Sequence, residues 1–203
     1  MVEQLFLKPL GSNVLVNTQA LRIEITGVVG NIIQHPWKQL LLLPRDTLDV
    51  FALQAGQLKE DIVVNPSFDL HDLPSGSVIQ LGSVQLRLTF HCEPCFKIKH
   101  LSNLKRIVHR RGYHSQILKA GDIKLGDTIQ LLTERHEAIP YVFADRIKWY
   151  LDQYPIPILV ADLVKAIGLS SSYCRAVPNI IRHRVDINKA LIIYKNQHNK
   201  SRS

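Results

Sequence analysis

Short apolar runs, several of them alternating with polar residues, dominate the first two thirds of the chain. They are Asn13-Val-Leu-Val, Leu21-Arg-Ile-Glu-Ile, Leu40-Leu-Leu-Leu, Asp61-Ile-Val-Val, Ser77-Val-Ile-Gln-Leu, Val84-Gln-Leu-Arg-Leu-Thr-Phe and Thr128-Ile-Gln-Leu-Leu. A period of two is the mark of a strand with one face buried. Gly27, Gly30, Pro44, Pro66, Gly76 and Gly82 fall between the runs and supply turns. Many short strands with regular turn signals predict a mainly β domain, a barrel or a sandwich. Two helices are expected inside it. Asp46 to Ala55 ends at Gly56, and Asn103 to Arg110 is capped by Ser102 and carries Leu104, Ile107 and Val108 on one face. Arg111 to Asp127, punctuated by Gly121 and Gly126, reads as a hairpin.

The texture changes at Ile139-Pro140. Val142 to Tyr154 has apolar residues at helical spacing, and Pro155 and Pro157 end it. Leu159 to Ile167 is a second helix, stopped by Gly168. Ser170 to Ser172 can cap a third, Tyr173 to Arg184, which Pro178 must kink or restart. Ala190 to Tyr194 reads as a short strand. The pattern therefore divides the chain into a β domain at 1–138, a small helical domain at 139–195 and a disordered basic tail at 196–203.

Length and composition fit this division. With 203 residues, 46% of them hydrophobic, the chain can build a sizeable core. Its start lacks the basic and long apolar segments of a secretion signal, and Leu40 to Leu43 is far too short to cross a bilayer. Three cysteines do not make an even disulfide framework. The chain thus reads as a reduced, cytoplasmic protein with no membrane partner. Net charge is +8, with ten Lys/Arg against four Asp/Glu from residue 141 onward and fifteen against thirteen before it. That asymmetry adds weight to a polyanion partner for the C-terminal part, while composition alone still favours the plain alternative of a solvated basic surface.

The chemistry concentrates at Cys92-Glu-Pro-Cys95. A zinc site needs about four ligands, and although His91, His100, His109 and His114 are near in sequence, there is no second pair at ligand spacing. A redox dithiol expects a βαβ setting that this β-rich stretch does not supply. Two readings remain: half-buried thiols at a strand end, or one functional thiolate at Cys95. From Phe96 to Gly121 there is no acidic residue, but there are Lys97, Lys99, Lys105, Arg106, Arg110, Arg111 and Lys119. Cationic neighbours populate the thiolate and offer a landing place for an anion.

These residues carry a resemblance. Leu58-Lys-Glu-Asp-Ile-Val-Val-Asn65, Leu73-Pro-Ser-Gly-Ser-Val-Ile-Gln-Leu-Gly82, Glu93-Pro-Cys95 and Arg111-Gly-Tyr-His-Ser-Gln-Ile-Leu through Gly126-Asp127 follow the order and spacing of the MOSC family. That family is named for the C-terminal domain of molybdenum-cofactor sulfurases. It includes those sulfurases, amidoxime-reducing proteins and bacterial hydroxylaminopurine-detoxifying proteins. The resemblance implies a β-barrel-like domain whose motif cysteine, here Cys95, carries sulfur or ligates molybdenum. Lys59, Asp61, Arg111 and Gly112 are then candidates to hold the cofactor's phosphate and pterin. Three positions depart from the family pattern: Asn31 stands where an acid is usual, Lys59 where an arginine is usual and Asp61 where an asparagine is usual. There is no room for an aminotransferase-like domain, so pyridoxal phosphate chemistry is not expected of this chain alone.

The C-terminal segment has the outline of a helix-turn-helix and resembles the DNA-binding domain of alkylguanine-DNA alkyltransferases around Ala161-Asp-Leu and Arg175-Ala-Val. That family's Pro-Cys-His-Arg site is absent, and Cys174 does not replace it. Arg175, Asn179, Arg182 and Arg184 are the candidate nucleic-acid contacts. Two functions stay open. One is a molybdenum-cofactor protein moving sulfur or electrons through Cys95, reducing an N-hydroxylated small-molecule substrate with electrons from a separate redox partner. The other is a DNA-binding regulator whose β domain is not catalytic.

Overall fold

The computed structural model describes residues 1–12, 14–32, 35–94, 98, 100–101 and 105–194. The strands are β1 (Val2–Leu7), β2 (Val16–Thr18), β3 (Ala20–Glu24), β4 (Gly27–Val28), β5 (Leu40–Pro44), β6 (Ile62–Val64), β7 (Ser77–Leu81), β8 (Val84–His91), β9 (Tyr113–Lys119), β10 (Gly121–Lys124), β11 (Ile129–Arg135), β12 (Ile158–Leu159) and β13 (Ile192–Ile193). The helices are α1 (Arg45–Val50), α2 (Phe143–Gln153), α3 (Val160–Ala166) and α4 (Val177–Ile180). Contacts gather the chain into two compact units, Met1–Ala138 and a second that begins at Ile139. Among the described residues no helix is long and apolar enough to cross a membrane.

In the first unit one eight-stranded sheet runs β11-β7-β8-β9-β5-β6-β1-β2, and a second, β10-β3-β4, has three strands. All pairings are antiparallel except β5 with β6. This parallel pair needs a crossover, and α1 begins it. Every residue of β5 and β6 is buried, as expected of a parallel pair covered on both faces. The period of two then sorts their side chains. Leu40, Leu42, Ile62 and Val64 join the main core with Leu21, Ile23 and Ile123 of the smaller sheet. Leu43 and Val63 point the other way, into a second core with Leu48, Leu58, Ile98 and Ile107. Ile98 and Ile107, which both follow Cys95 in the sequence, are thus anchored on the outer face of the central strands at 1% and 0% exposure.

Three expectations change. Arg111 to Asp127 is not a hairpin: β9 pairs with β5 and β8, while β10 leaves for β3 in the other sheet. Lys105 to Arg110 is a run of turns rather than a helix, with His109 in the left-handed region at φ 60. Only Ile107 of its apolar residues is buried there, and Val108 is 40% exposed, so one anchor replaces a packed face. The expected cap at Ser102 lies outside the described residues. α1 is also shorter than expected, ending at Val50 before a left-handed Ala52.

The second unit has its own core, built from Ile147, Leu151, Leu163, Val164, Ile167, Val177 and Ile181. The third helix is broken. Ser171–Arg175 is a 3-10 turn, and α4 restarts for one turn with Pro178 in its first positions. Pro fixes φ and lacks an N–H, so it suits a helix start and interrupts a helix interior. β12 and β13 pair in parallel. The tail expected at 196–203 lies outside the described residues.

Candidate functional site

The site is built where β8 ends and the chain heads for Cys95. Cys95 itself lies outside the described residues, so the site is defined by what fixes the chain on either side of it. β8 delivers His91, and Cys92 N–H donates to the Gly112 carbonyl at 2.8 Å. The Arg111 guanidinium, on a residue only 7% exposed, donates from Nη1 to the Glu93 carbonyl at 2.5 Å and from Nη2 to the Leu58 carbonyl at 3.5 Å. One buried side chain thereby joins the turn before Lys59 to the segment two residues short of Cys95. Arg111 holds these main chains with the donors that a ligand would otherwise meet. Lys59 is exposed and left-handed at φ 63, with its N–H on the Gly56 carbonyl at 3.1 Å.

Gly112 is where the backbone crowds. Its φ is +94, and a Cβ there would lie 2.5 Å from the Leu42 carbonyl oxygen of β5, so the position admits only glycine. Its N–H donates to His71 Nε2 at 3.2 Å. That bond fixes a tautomer: Nε2 accepts, so neutral His71 keeps its proton on Nδ1. The Nδ1 atom is buried without a hydrogen-bond partner, with Asp69 Oδ1 at 3.9 Å. Burial, helped by the charge of Arg110, pushes the His71 imidazole below its usual range, so it stays neutral. His71 gave no sequence signal, because its contact with Gly112 spans 41 residues.

Beside this lies a cleft of about 410 Å³ lined by Asp46, Thr47, Val50, Phe51, Arg106 and Arg110. Arg106 and Arg110 are exposed cations, the second paired with Asp69 at 3.2 Å. Thr47 is 3% exposed, and its Oγ1 is buried with no hydrogen-bond partner. A neighbouring cleft of about 360 Å³ shares Asp46 and adds Arg45 and Asp69. The exposed charge thus comes from Arg106 and Arg110 rather than from Arg111.

Asp61 stands apart from these clefts. It is 0% exposed. Its Oδ2 accepts from Lys8 Nζ at 2.8 Å and from the Leu41 N–H at 2.7 Å, and its Oδ1 accepts from Asn31 Nδ2 at 3.3 Å. It braces β5 and β6 from within.

In the second unit, Arg175 and Asn179 are exposed, and Arg182 Nη2 donates to Asn179 Oδ1 at 2.7 Å. Arg184 is committed to two acids, Asp145 at 2.6 Å and Asp186 at 2.7 and 2.8 Å. The four candidates therefore do not share one helix: Arg175 ends the 3-10 turn, Asn179 is on α4, Arg182 is in the turn after it, and Arg184 lies just beyond that turn.

Residues 33–130 match the family model of the MOSC domain. The match covers just under half of the chain and takes in the cysteine segment, Arg111 and Gly112. Solved structures agree in fold. YuaD of Bacillus subtilis is similar at 17% identity and a TM-score of 0.56, over 67% of this chain and 96% of that one. YiiM of Geobacillus stearothermophilus is similar at 16% identity and a TM-score of 0.53, over 89% of this chain and all of that one. YiiM of Escherichia coli is similar at 17% identity and a TM-score of 0.50, over 88% and 92%. No curated protein matches the chain significantly.

Proposed function

We propose that this chain binds molybdenum cofactor through its MOSC-like domain, with the Cys95 thiolate as the protein's ligand to molybdenum. The observation that carries the reading is the fastening of the chain on both sides of the motif cysteine. Arg111 ties Leu58 to Glu93, and Gly112 receives Cys92, all within the stretch that matches the MOSC domain. The donor set fits such a cofactor. A thiolate suits a soft metal centre. Arg106 and Arg110 offer charge to a phosphate, and the unpartnered Thr47 Oγ1 and His71 Nδ1 are polar atoms able to serve a heterocycle with donors and acceptors. When bound, the cofactor supplies a centre that exchanges electrons and oxygen or sulfur. The chain's own part is to hold that centre at Cys95, to keep the cysteine segment anchored through Arg111, and to carry a proton on His71 Nδ1.

The reaction class favoured is reduction of an N-hydroxylated small molecule. Cleaving an N–O bond to an amine and water takes two electrons and two protons, and the electrons come from a separate redox partner. Anaerobic purification with molybdenum and pterin analysis tests the assignment. The wild-type chain is expected to retain both, and Cys95→Ser to lose molybdenum. A wild-type chain with neither, unaffected by Cys95→Ser, contradicts it.

A second reading concerns the C-terminal unit, as a helix-turn-helix-like module that binds DNA. It is supported by the preorganised Arg182–Asn179 pair and the excess of Lys/Arg there. Phosphate contacts make such binding steeply salt-dependent. A mobility-shift series in salt is expected to weaken on replacing Arg175 and Arg182 together, and unchanged binding rejects this surface.

A further inference from the structure

Gly112 is held at both of its polar groups. Its N–H donates to His71 Nε2 at 3.2 Å, and its carbonyl accepts the Cys92 N–H at 2.8 Å. His71 is thus joined through one residue to Cys92, three positions before Cys95. Gly112 has little slack of its own, because at φ +94 it passes too close to the Leu42 carbonyl for a side chain to fit. What fixes its N–H therefore bears on where Cys92 lies.

His71 is well placed to do this. Its own N–H donates to Asp69 Oδ1 at 2.8 Å, and His91 Nε2 donates to its carbonyl at 3.0 Å. Two residues on, the Leu73 carbonyl accepts the Tyr113 hydroxyl at 3.1 Å. The stretch from Asp69 to Leu73 is thereby fastened to the end of β8 and the start of β9. The other ring nitrogen, Nδ1, is buried with no hydrogen-bond partner. The ring's hydrogen bond in the fold is the one its Nε2 lone pair accepts. That lone pair is conditional. An imidazolium has donors on both nitrogens. A second proton on His71 lands on Nε2, where it faces the Gly112 N–H, and the bond gives way to two opposed donors in a buried place.

We propose that His71 is a positioning residue for the motif cysteine, a latch closed while its ring is neutral and opened by a second ring proton. It acts through Gly112 and Cys92 rather than on a substrate. The groups acting on the ring are Arg110, Asp69, Asp72, Asp46 of α1, and His91, whose ring stands edge-on at 5.7 Å between centroids. His91 is itself lowered to about 3, by burial first and then by the charges of His71 and His109, so it stays neutral. Burial and then Arg110 lower His71, against the three carboxylates. The folded value lies below the ordinary 6.5, so the latch contributes fully above 6.5 and is lost as pH falls through the lowered value. Its consequence for cofactor retention rests on the reading of Cys95 as the ligand to molybdenum. The latch itself does not.

Amide hydrogen exchange at Gly112 and Cys92, each rate divided by the intrinsic rate at that pH, tests the latch in the full chain without cofactor. In the wild type both amides are expected to be protected above about pH 7 and to lose about fivefold or more of that protection by about pH 4.5. His71→Gln carries an acceptor that does not titrate and is expected to keep its protection across the range. His71→Leu carries none and is expected to be poorly protected throughout. Titrations elsewhere are common to the wild type and His71→Gln, so they cancel in the comparison. A wild-type profile no steeper than that of His71→Gln overturns the proposal, and so does full protection in His71→Leu. With molybdenum cofactor loaded, His71→Gln is expected to retain molybdenum at about pH 5 better than the wild type does. A chain that binds no molybdenum at any pH removes the cofactor reading, and the exchange profiles still decide the latch.

Discussion

Asn31 Nδ2 donates to Asp61 Oδ1 at 3.3 Å, and these are two of the positions, with Lys59, where the chain departs from the family pattern it resembles. That pattern has the acid first and the amide second. Here they have exchanged places while remaining in contact. Lys8 links both, its Nζ on Asp61 Oδ2 at 2.8 Å and its backbone N–H on Asn31 Oδ1 at 2.6 Å. Asn31 and Asp61 therefore form one exchanged unit, and Lys8 supplies the counter-charge at the new site of the carboxylate.

Removing the carboxylate alone leaves Lys8 without its partner. Asp61→Asn is expected to cost about 3–5 kcal/mol, the range for breaking a buried ion pair. Adding Asn31→Asp restores an acid–amide pair and is expected to recover a large part of that loss. Urea denaturation of the two single variants and the double variant measures the coupling. Additive effects would show that the contact is incidental.

Glu60 is fully buried. Its Oε1 accepts the Gly56 N–H at 2.5 Å, and its Oε2 has no hydrogen-bond partner. Burial raises its carboxyl above the ordinary 4.5, against the lowering effect of that N–H. The folded state then holds the proton more tightly than the unfolded chain. Between pH 4.5 and the raised value the folded state binds more protons, so stability falls as pH rises through that window. Glu60→Gln removes this titration. Unfolding midpoints from pH 4 to 8 are expected to show the wild type gaining on the variant as pH falls toward about 4.5. Parallel profiles would contradict this.

Arg146 organises the second unit. It is 0% exposed and donates to the carbonyls of Pro140 at 2.7 Å, Tyr141 at 3.1 Å and Ile167 at 3.4 Å. The last is the C-cap of α3, where helix carbonyls lack partners in the helix. A lysine cannot reach three divergent acceptors from one nitrogen. Arg146→Lys is expected to cost about 1–3 kcal/mol for each carbonyl left without a donor. Thermal unfolding followed through Trp149, with Trp37→Phe removing the other tryptophan, measures it. An unshifted midpoint would refute the role.

The strands that the sequence announced are those whose apolar pattern is unbroken, whether it alternates or runs on continuously. β8 alternates from Val84 to Phe90, and Leu40 to Leu43 is continuously apolar because both its faces are covered. β1 was missed because Glu3 and Gln4 break its alternation, and its place is set by pairing with β6, about 60 residues away. The segment at 103–110 has helical spacing, yet among its described residues only Ile107 joins a core. At the site, Arg111 and Gly112 were visible as motif residues, but their roles were not. Whether an arginine presents its charge or spends it on carbonyls depends on Leu58 and Glu93, distant in sequence. His71 and Thr47 were invisible for the same reason: an unpartnered polar atom is a property of its surroundings.

The most direct test of the central claim is X-ray absorption at the molybdenum edge of the chain loaded with cofactor. The account predicts one molybdenum–sulfur contact from a protein thiolate in the wild type that disappears in Cys95→Ser. Identical spectra from the two proteins would contradict it.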